Sequence, residues 1–305
     1  MEDWRKQQER STPLMLRIIV TLAMRAPRPL VRSLLYPIVA YFLLTAPQAR
    51  LASSGYLRRA LGREPTWRDC WRHFFYFASC TLDRIYLLSE RFTTFDIEVD
   101  RPAAVADLVA RRPGCLLFVA HFGSAEALRV IGVNKRGLPL SILLDRQHGR
   151  MLMSLLEQLN PNLAQNVIDA ADRGPQLVLT LKDALQSGRM IGIMADRALA
   201  TDRAVLVDFL GSQARLPVGP WQLAGALQAP VILGFGCYMG GNRYAVRFEV
   251  FAESMQLPRQ GREAAIAAYA QRYAQRLEHF AREAPYNWFN FYDYWRNDDA
   301  TSKRA

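Results

Sequence analysis

The hydrophobic pattern of this chain breaks most sharply at one place. The apolar run Cys115-Leu116-Leu117-Phe118-Val119-Ala120 passes directly into His121-Phe122-Gly123-Ser124-Ala125-Glu126, and apolar residues resume as Ala127-Leu128-Arg129-Val130-Ile131. Bounded in this way, the run predicts a buried strand, a sharp turn and a helix. Further apolar segments at 138–144, 190–194, 205–209, 231–235 and 244–250 predict strands, and helical periodicity at 151–159, 174–186 and 219–227 separates several of them. Such alternation predicts an α/β fold with a single mainly parallel mixed sheet flanked by helices, while Gly240-Gly241-Asn242 predicts an antiparallel hairpin late in the chain. An Ala-rich helix at 262–282 and an aromatic tail at 286–295 follow.

Ahead of the sheet the period changes. Trp71, Phe74, Phe75, Ala78, Leu82, Ile85 and Tyr86 recur at steps of three and four, which predicts an amphipathic helix over 67–92, then a strand at 95–99 and a short helix at 100–110. Residues 14–47 are largely apolar but are interrupted by Arg17, Arg25, Arg28 and Arg32. The longest charge-free run there, 33–49, contains Pro37 and falls short of the ~20 residues of a spanning helix. No secretory-signal pattern is present. Arginines set among aliphatic and aromatic residues fit an interfacial segment that buries one face in acyl chains, and fit equally a helix packed on the protein core. The chain therefore divides into an N-terminal helical region, 1–92, and an α/β domain, 93–305.

Composition narrows the function. With 305 residues, half of them hydrophobic, the chain can bury one large core plus an appendage. A net charge of +11 and a pI near 9.8 call for an anionic partner: nucleic acid, an anionic membrane face or an acidic protein. The basic residues are dispersed through apolar runs rather than gathered in a solvated stripe, which disfavours nucleic acid. Cys70, Cys80, Cys115 and Cys237 have neither CxxC nor metal-ligand spacing and read as reduced packing residues, consistent with a cytosolic environment. There is no GxSxG, Walker A, GxGxxG or HExxH motif, and His73, His148 and His279 are scattered.

That leaves His121. Residues five apart on one helix point about 140° away from each other, so His121 and Glu126 can cooperate only if the histidine lies on the strand end and the carboxylate in the turn beyond it. A neutral imidazole oriented by a carboxylate at the carboxyl end of a strand is a general base. The plainer alternative is a hydrogen-bonded core histidine and a glutamate favouring a helix N-terminus. Asp145-Arg146 and Asp196-Arg197 follow two other strands, which puts both pairs on the same rim; they read as surface ion pairs or as forks that bind phosphate or polarise a carbonyl.

The ordered set resembles a family. His121-x-x-x-x-Glu126, Asp145-Arg146, Gly192-Ile193-Met194-Ala195-Asp196-Arg197, Val207-Asp208-Phe209-Leu210-Gly211, Leu216-Pro217-Val218-Gly219-Pro220-Trp221 and Ala229-Pro230-Val231-Ile232 together resemble, over residues 112–253, the bacterial lipid A late acyltransferases (lauroyl and myristoyl transferases) of the lysophospholipid acyltransferase superfamily. Asp196-Arg197 replaces that family's usual Asp-Gln, and this pair and the aromatic ending from Asn287 to Trp295 are similar to the predicted acyltransferases of aryl polyene and flexirubin-type synthesis.

The resemblance implies a glycerolphosphate-acyltransferase-like fold and transfer of an acyl group from a thioester, with an acyl carrier protein favoured over coenzyme A, to a hydroxyl of a lipid or glycolipid. In that scheme His121 takes the acceptor proton and Glu126 holds its imidazole, while Arg146, Asp196 and Arg197 bind substrate. No metal or redox cofactor enters and nucleic acid has no part. The expected location is the cytoplasmic face of the inner membrane, against anionic lipids. A non-catalytic basic lipid-binding protein of the same fold is the alternative.

Overall fold

A computed structural model describes residues 13–111, 114–129, 139–146, 149–172, 174–198 and 202–295. The chain opens with α1 (Pro13–Arg25), α2 (Arg28–Ser33), α3 (Leu35–Thr45) and α4 (Pro47–Leu61). Helix α5 (Trp67–Leu88) starts in a capping box, in which the Thr66 hydroxyl accepts from the Asp69 amide and the Asp69 carboxylate accepts from the Thr66 amide. Then come β1 (Asp96–Asp100), α6 (Ala103–Arg111), β2 (Cys115–Gly123) and a 3-10 turn at Glu126–Arg129. The middle of the chain forms β3 (Leu140–Leu144), α7 (Arg150–Leu159), α8 (Pro161–Gln165), β4 (Val167–Asp169), α9 (Pro175–Gln186) and β5 (Met190–Met194). It closes with β6 (Ala204–Phe209), β7 (Ser212–Pro217), α10 (Gly219–Leu227), β8 (Val231–Gly240), β9 (Arg243–Ala252) and α11 (Arg262–Glu283).

Among the described residues seven strands form one mixed sheet in the order β1-β9-β8-β2-β5-β3-β4. Only the β8–β9 pair is antiparallel, and Gly240 and Gly241, both at positive φ, make its turn. The expected architecture is therefore present, with one strand elsewhere. Strand β6 leaves the main sheet and pairs with β7 in a separate hairpin through Leu210 (φ 52°) and Gly211 (φ 78°), the two left-handed positions of a tight turn. The hairpin is fastened to α11, whose Gln271 Oε1 accepts from the Asp208 amide at 2.8 Å while its Nε2 donates to the Asp208 carbonyl at 2.9 Å. The apolar length of 205–209 marked a strand correctly but carried nothing about its partner.

Strand β2 lies between β8 and β5 and is buried on both faces, which explains its unbroken apolar run; Leu116 and Phe118 are fully covered and Phe118 meets Trp221 edge-on. The N-terminal helices share that core. Arg28 forms a bidentate pair with Asp83 of α5, both contacts at 2.7 Å, and Tyr244 of β9 donates to the same carboxylate at 2.8 Å. Arg32 donates to the Tyr238 hydroxyl at 3.2 Å and lies over the Phe75 ring. Two of the four arginines expected to face lipid are thus engaged inside the protein.

The opposite face of α1–α4 remains apolar and uncovered at Ile18, Leu22, Leu30, Leu34, Leu44 and Leu51, the last two 70% and 72% exposed. Among the described residues no single helix is long and apolar enough to cross a membrane; the segments 28–45 and 47–61 meet at 96°. The break falls at Ala46-Pro47, where Ala46 (φ −118°, ψ 69°) is displaced from helical geometry ahead of the proline.

Candidate active site

The site is assembled by strand register. Val119 of β2 lies opposite Met194 of β5 in the parallel pair, so two residues further along each chain His121 and Asp196 come side by side. The His121 Nδ1 is 2.9 Å from one carboxylate oxygen of Asp196, and the His121 amide donates to the other at 3.0 Å. Beyond this point β2 departs from its register with β8 and ends at Gly123, whose φ of 56° and close approach to the Gly236 carbonyl leave no room for a Cβ.

Asp196 is fully buried. Burial pushes its pKa up, but His121 and Arg197 together hold the carboxylate well below the usual range. Burial and the positive charges of Arg197 and Arg84 lower the His121 pKa below its ordinary value against the opposing pull of Asp196. At neutral pH the pair is a carboxylate and a neutral imidazole. Because the carboxylate only accepts, the ring proton sits on Nδ1 and the Nε2 lone pair is free. The imidazole is 38% exposed, and its Nε2 makes no hydrogen bond among the described residues.

The expected hydrogen bond between His121 and Glu126 is not formed. Strand β2 continues through His121 to Gly123 and the chain then enters a 3-10 turn, so Glu126 is directed toward α5 while Asp196 occupies the place beside Nδ1. The buried Glu126 carboxylate lies 2.7 Å from Arg84 Nε and accepts from the Ser124 hydroxyl at 3.0 Å. Of the helix expected after the turn, Val130 and Ile131 lie outside the described residues.

The strand-end arginines do not converge as expected. Arg146, one strand beyond β5, turns away toward β4: its guanidinium donates to the Val167 carbonyl at 3.0 Å and lines a separate cavity of about 560 Å³ with Ser141, Asp169 and Arg189. Arg197 stays near the site but is committed. It donates to the Phe289 carbonyl, lies over the Tyr292 ring and is only 14% exposed. Arg84 is the arginine the sequence reading missed. It continues the buried stripe Cys80, Leu87, Leu88 of α5, and a charged residue on such a stripe is the signal that would have singled it out.

The aromatic tail closes the site from behind. The Phe289 amide donates to the His121 carbonyl at 2.9 Å, the Gly123 amide to the Asn287 carbonyl at 2.8 Å, and Phe122 bridges Trp288 in antiparallel fashion. Trp288 Nε1 donates to Asp196 at 3.1 Å and the Tyr294 hydroxyl donates to the Asp196 backbone carbonyl at 2.8 Å. His73 secures the tail in turn: its Nε2 donates to the Trp288 carbonyl at 3.0 Å, its Nδ1 accepts from Ser53, and burial pushes its pKa down to about 4. His73 is a neutral core histidine.

Among the described residues no group of three or more His, Cys, Asp or Glu side chains is arranged to hold a metal ion; His148 lies outside them. All four cysteines are free and buried. No curated protein matches the chain. The family model described as bacterial lipid A biosynthesis acyltransferase matches residues 91–297, a span that includes His121, Glu126, Arg146, Asp196, Arg197 and the tail through Trp295. Over two thirds of its length, then, the chain belongs to the bacterial lipid A biosynthesis acyltransferase family.

Proposed function

We propose that this acyltransferase moves an acyl group from a thioester to a hydroxyl of a lipid or glycolipid, with His121 as the general base and Asp196 as the residue that positions it. One observation carries the reading: an imidazole bonded through Nδ1 to a fully buried carboxylate, with Nε2 unengaged on the accessible side. The acceptor hydroxyl gives its proton to Nε2 as its oxygen attacks the thioester carbonyl. The tetrahedral intermediate collapses by breaking the carbon–sulfur bond, and the imidazolium returns the proton to the departing thiolate. General-base assistance of this kind is worth about 10²- to 10⁴-fold.

Attack is direct. The nearest hydroxyl of the motif, Ser124, is buried, donates to Glu126 and accepts from the Ala127 amide. The thiols of Cys115 and Cys237 are pushed up to about 12 by burial, far from nucleophilic use. Glu126 serves here by holding Arg84, whose Nη groups make no hydrogen bond among the described residues and so are free to meet an anionic group of the substrate.

The donor is an acyl carrier protein, favoured by the +11 charge because such carriers are acidic and charge-steered association suits them. The protein works at the cytoplasmic face of the inner membrane, with the uncovered apolar face of α1–α4 in the acyl region. A scaffold that merely bound lipid would need no buried carboxylate behind an accessible imidazole.

The test is transfer of a dodecanoyl group from acyl carrier protein to bacterial membrane lipid, comparing wild type with His121→Ala. Loss of at least about 10²-fold in a folded variant is expected. Wild-type turnover in that variant would defeat the reading.

A further inference from the structure

We infer that Trp288, from the C-terminal tail, is a positioning residue of the catalytic pair: its indole N–H fixes Asp196 and keeps the exchangeable proton on His121. This inference rests on the general-base reading of His121.

Asp196 is cut off from water and accepts three N–H groups from the protein, namely the His121 amide, His121 Nδ1 and Trp288 Nε1. The first belongs to the backbone of β2 and the second to the base itself. Trp288 is therefore the neutral side-chain donor independent of the base: it bonds Oδ2, which also accepts the His121 amide and lies 3.8 Å from Arg197 Nε, while His121 Nδ1 bonds Oδ1. The other charge bearing on the pair is Arg84, and the neighbouring Tyr273, Tyr292 and Tyr294 hydroxyls are held protonated by burial. The indole N–H and the His121 amide hold Oδ2 from two directions, and the indole is the side-chain half of that anchor; together they set the carboxylate plane and with it the direction in which the imidazole ring is held.

The same bond has an electrostatic consequence. When His121 accepts the proton of the acceptor hydroxyl, an imidazolium faces a buried carboxylate, and the Nδ1 proton could pass to Asp196. A donor on Oδ2 stabilises the ionised form of Asp196 and opposes that transfer, so the imidazolium retains both protons until Nε2 gives one to the thiolate. Trp288 also draws charge density away from Oδ1 and moderates how strongly Asp196 raises the basicity of His121.

The surroundings of Trp288 suit a part whose position matters. Its ring is fully buried and contacts Tyr56, Phe209 and Tyr294 edge-on. Its carbonyl is held by His73 of α5, and the residues on either side are tied to β2 through the His121 carbonyl and the Gly123 amide. The indole donor is thus referenced to the same strand that carries the base.

Two replacements of Trp288 separate the hydrogen bond from the packing. Trp288→Phe removes the N–H and part of the ring; incorporation of 3-benzothienylalanine at position 288 keeps the bicyclic shape and substitutes sulfur for N–H. Each is assayed in the full-length protein by thiol release from dodecanoyl-acyl carrier protein in the presence of membrane lipid, across pH. The expected result for both is a fall in kcat of about tenfold, KM within about twofold, and an acidic limb moved to higher pH by about half a unit, because a carboxylate relieved of one donor supports the imidazolium better. An isostere-substituted protein with wild-type kcat and an unmoved limb would overturn the inference, as would a fall in kcat without any movement of the limb. An active His121→Ala protein would instead remove the general-base reading beneath it.

Discussion

His121 and Asp196 lie 75 positions apart in the chain, yet they meet because the Val119–Met194 register of two parallel strands carries both to the same rim. The pair owes its geometry to the sheet rather than to a local motif. Just past the end of β5 the Ala195 amide still donates to the Val119 carbonyl at 3.0 Å, so the backbone is tied to β2 one residue before the carboxylate. The paired strands therefore set the separation of the His121 imidazole and the Asp196 carboxylate.

Asp196→Asn follows directly from this geometry. An amide can present its NH₂ to Nδ1 and thereby move the imidazole proton to Nε2, where it blocks proton acceptance. Turnover should fall by about 10³-fold or more with little change in the melting temperature. In wild type, the folded pKa of His121 lies below its ordinary value of about 6.5, so activity should be full at neutral pH and decline only on acidification through that lower value. A pH–rate profile with its acidic limb above 7 would contradict this assignment.

Glu126 and Arg84 should behave as a unit distinct from the His121 pair. Arg84→Lys removes the planar fork, and Glu126→Gln removes the charge that holds it. Each should raise the apparent KM for an anionic substrate by about 10-fold, and the double variant should be no worse than Arg84→Lys alone. The acidic limb decides between the two roles open to Glu126. If Glu126→Gln displaces the acidic limb, Glu126 acts through His121 and its bond to Arg84 is incidental.

The sequence was most legible where periodicity and burial coincide. The run ending at Ala120 becomes β2, residues 190–194 become β5 at the stated bounds, and the stripe through Phe74, Leu82 and Ile85 becomes α5. Three-residue β4 is too short to leave a pattern, and β7 alternates Gln213 and Arg215 with Ala214 and Leu216, so its polar half hid it. The site was legible in its members but not in its pairing. His121, Glu126 and Asp196 were each singled out, while local spacing favoured Glu126 as the partner of His121; lateral register between strands leaves no mark in spacing. Arg84 and Trp288 escaped for a related reason, since a helix stripe and an aromatic tail both look like packing until the tertiary structure aims one polar atom of each.

The Arg28–Asp83 pair should be costly to break from one side. Both groups are buried, and Arg28→Met leaves the Asp83 carboxylate, among the described residues, with the neutral Tyr244 hydroxyl as its remaining hydrogen-bond donor. Loss of about 3–5 kcal/mol is expected in denaturant unfolding. Replacing both, Arg28→Met with Asp83→Leu, should recover most of that loss because no unpaired charge remains. Equal instability of the single and double variants would show that packing at Arg28, not charge, holds α2 on the sheet.

Membrane attachment can be tested without disturbing the core, provided the four N-terminal arginines are treated separately. Deleting residues 1–51 removes Arg28 and the buried Val39 and Leu43 along with the surface, so loss of binding there would be uninformative. Arg17 and Arg25 are exposed, whereas Arg32 is bonded to Tyr238 and stacked on Phe75. Beside an anionic bilayer each exposed arginine gains about 1 kcal/mol, roughly a fivefold change in partition. Arg17→Gln and Arg25→Gln should therefore each weaken sedimentation with phosphatidylglycerol vesicles by about fivefold, and Arg32→Gln should change it little. The apolar contribution is larger: Leu44→Ser with Leu51→Ser should lower binding by at least about 10²-fold even on zwitterionic vesicles, given about 1.5–3 kcal/mol for each leucine fully removed from water. If Arg32→Gln proved as damaging as Arg17→Gln, or if both leucine changes left binding intact, the lipid-facing surface would have to be sought away from α1–α4.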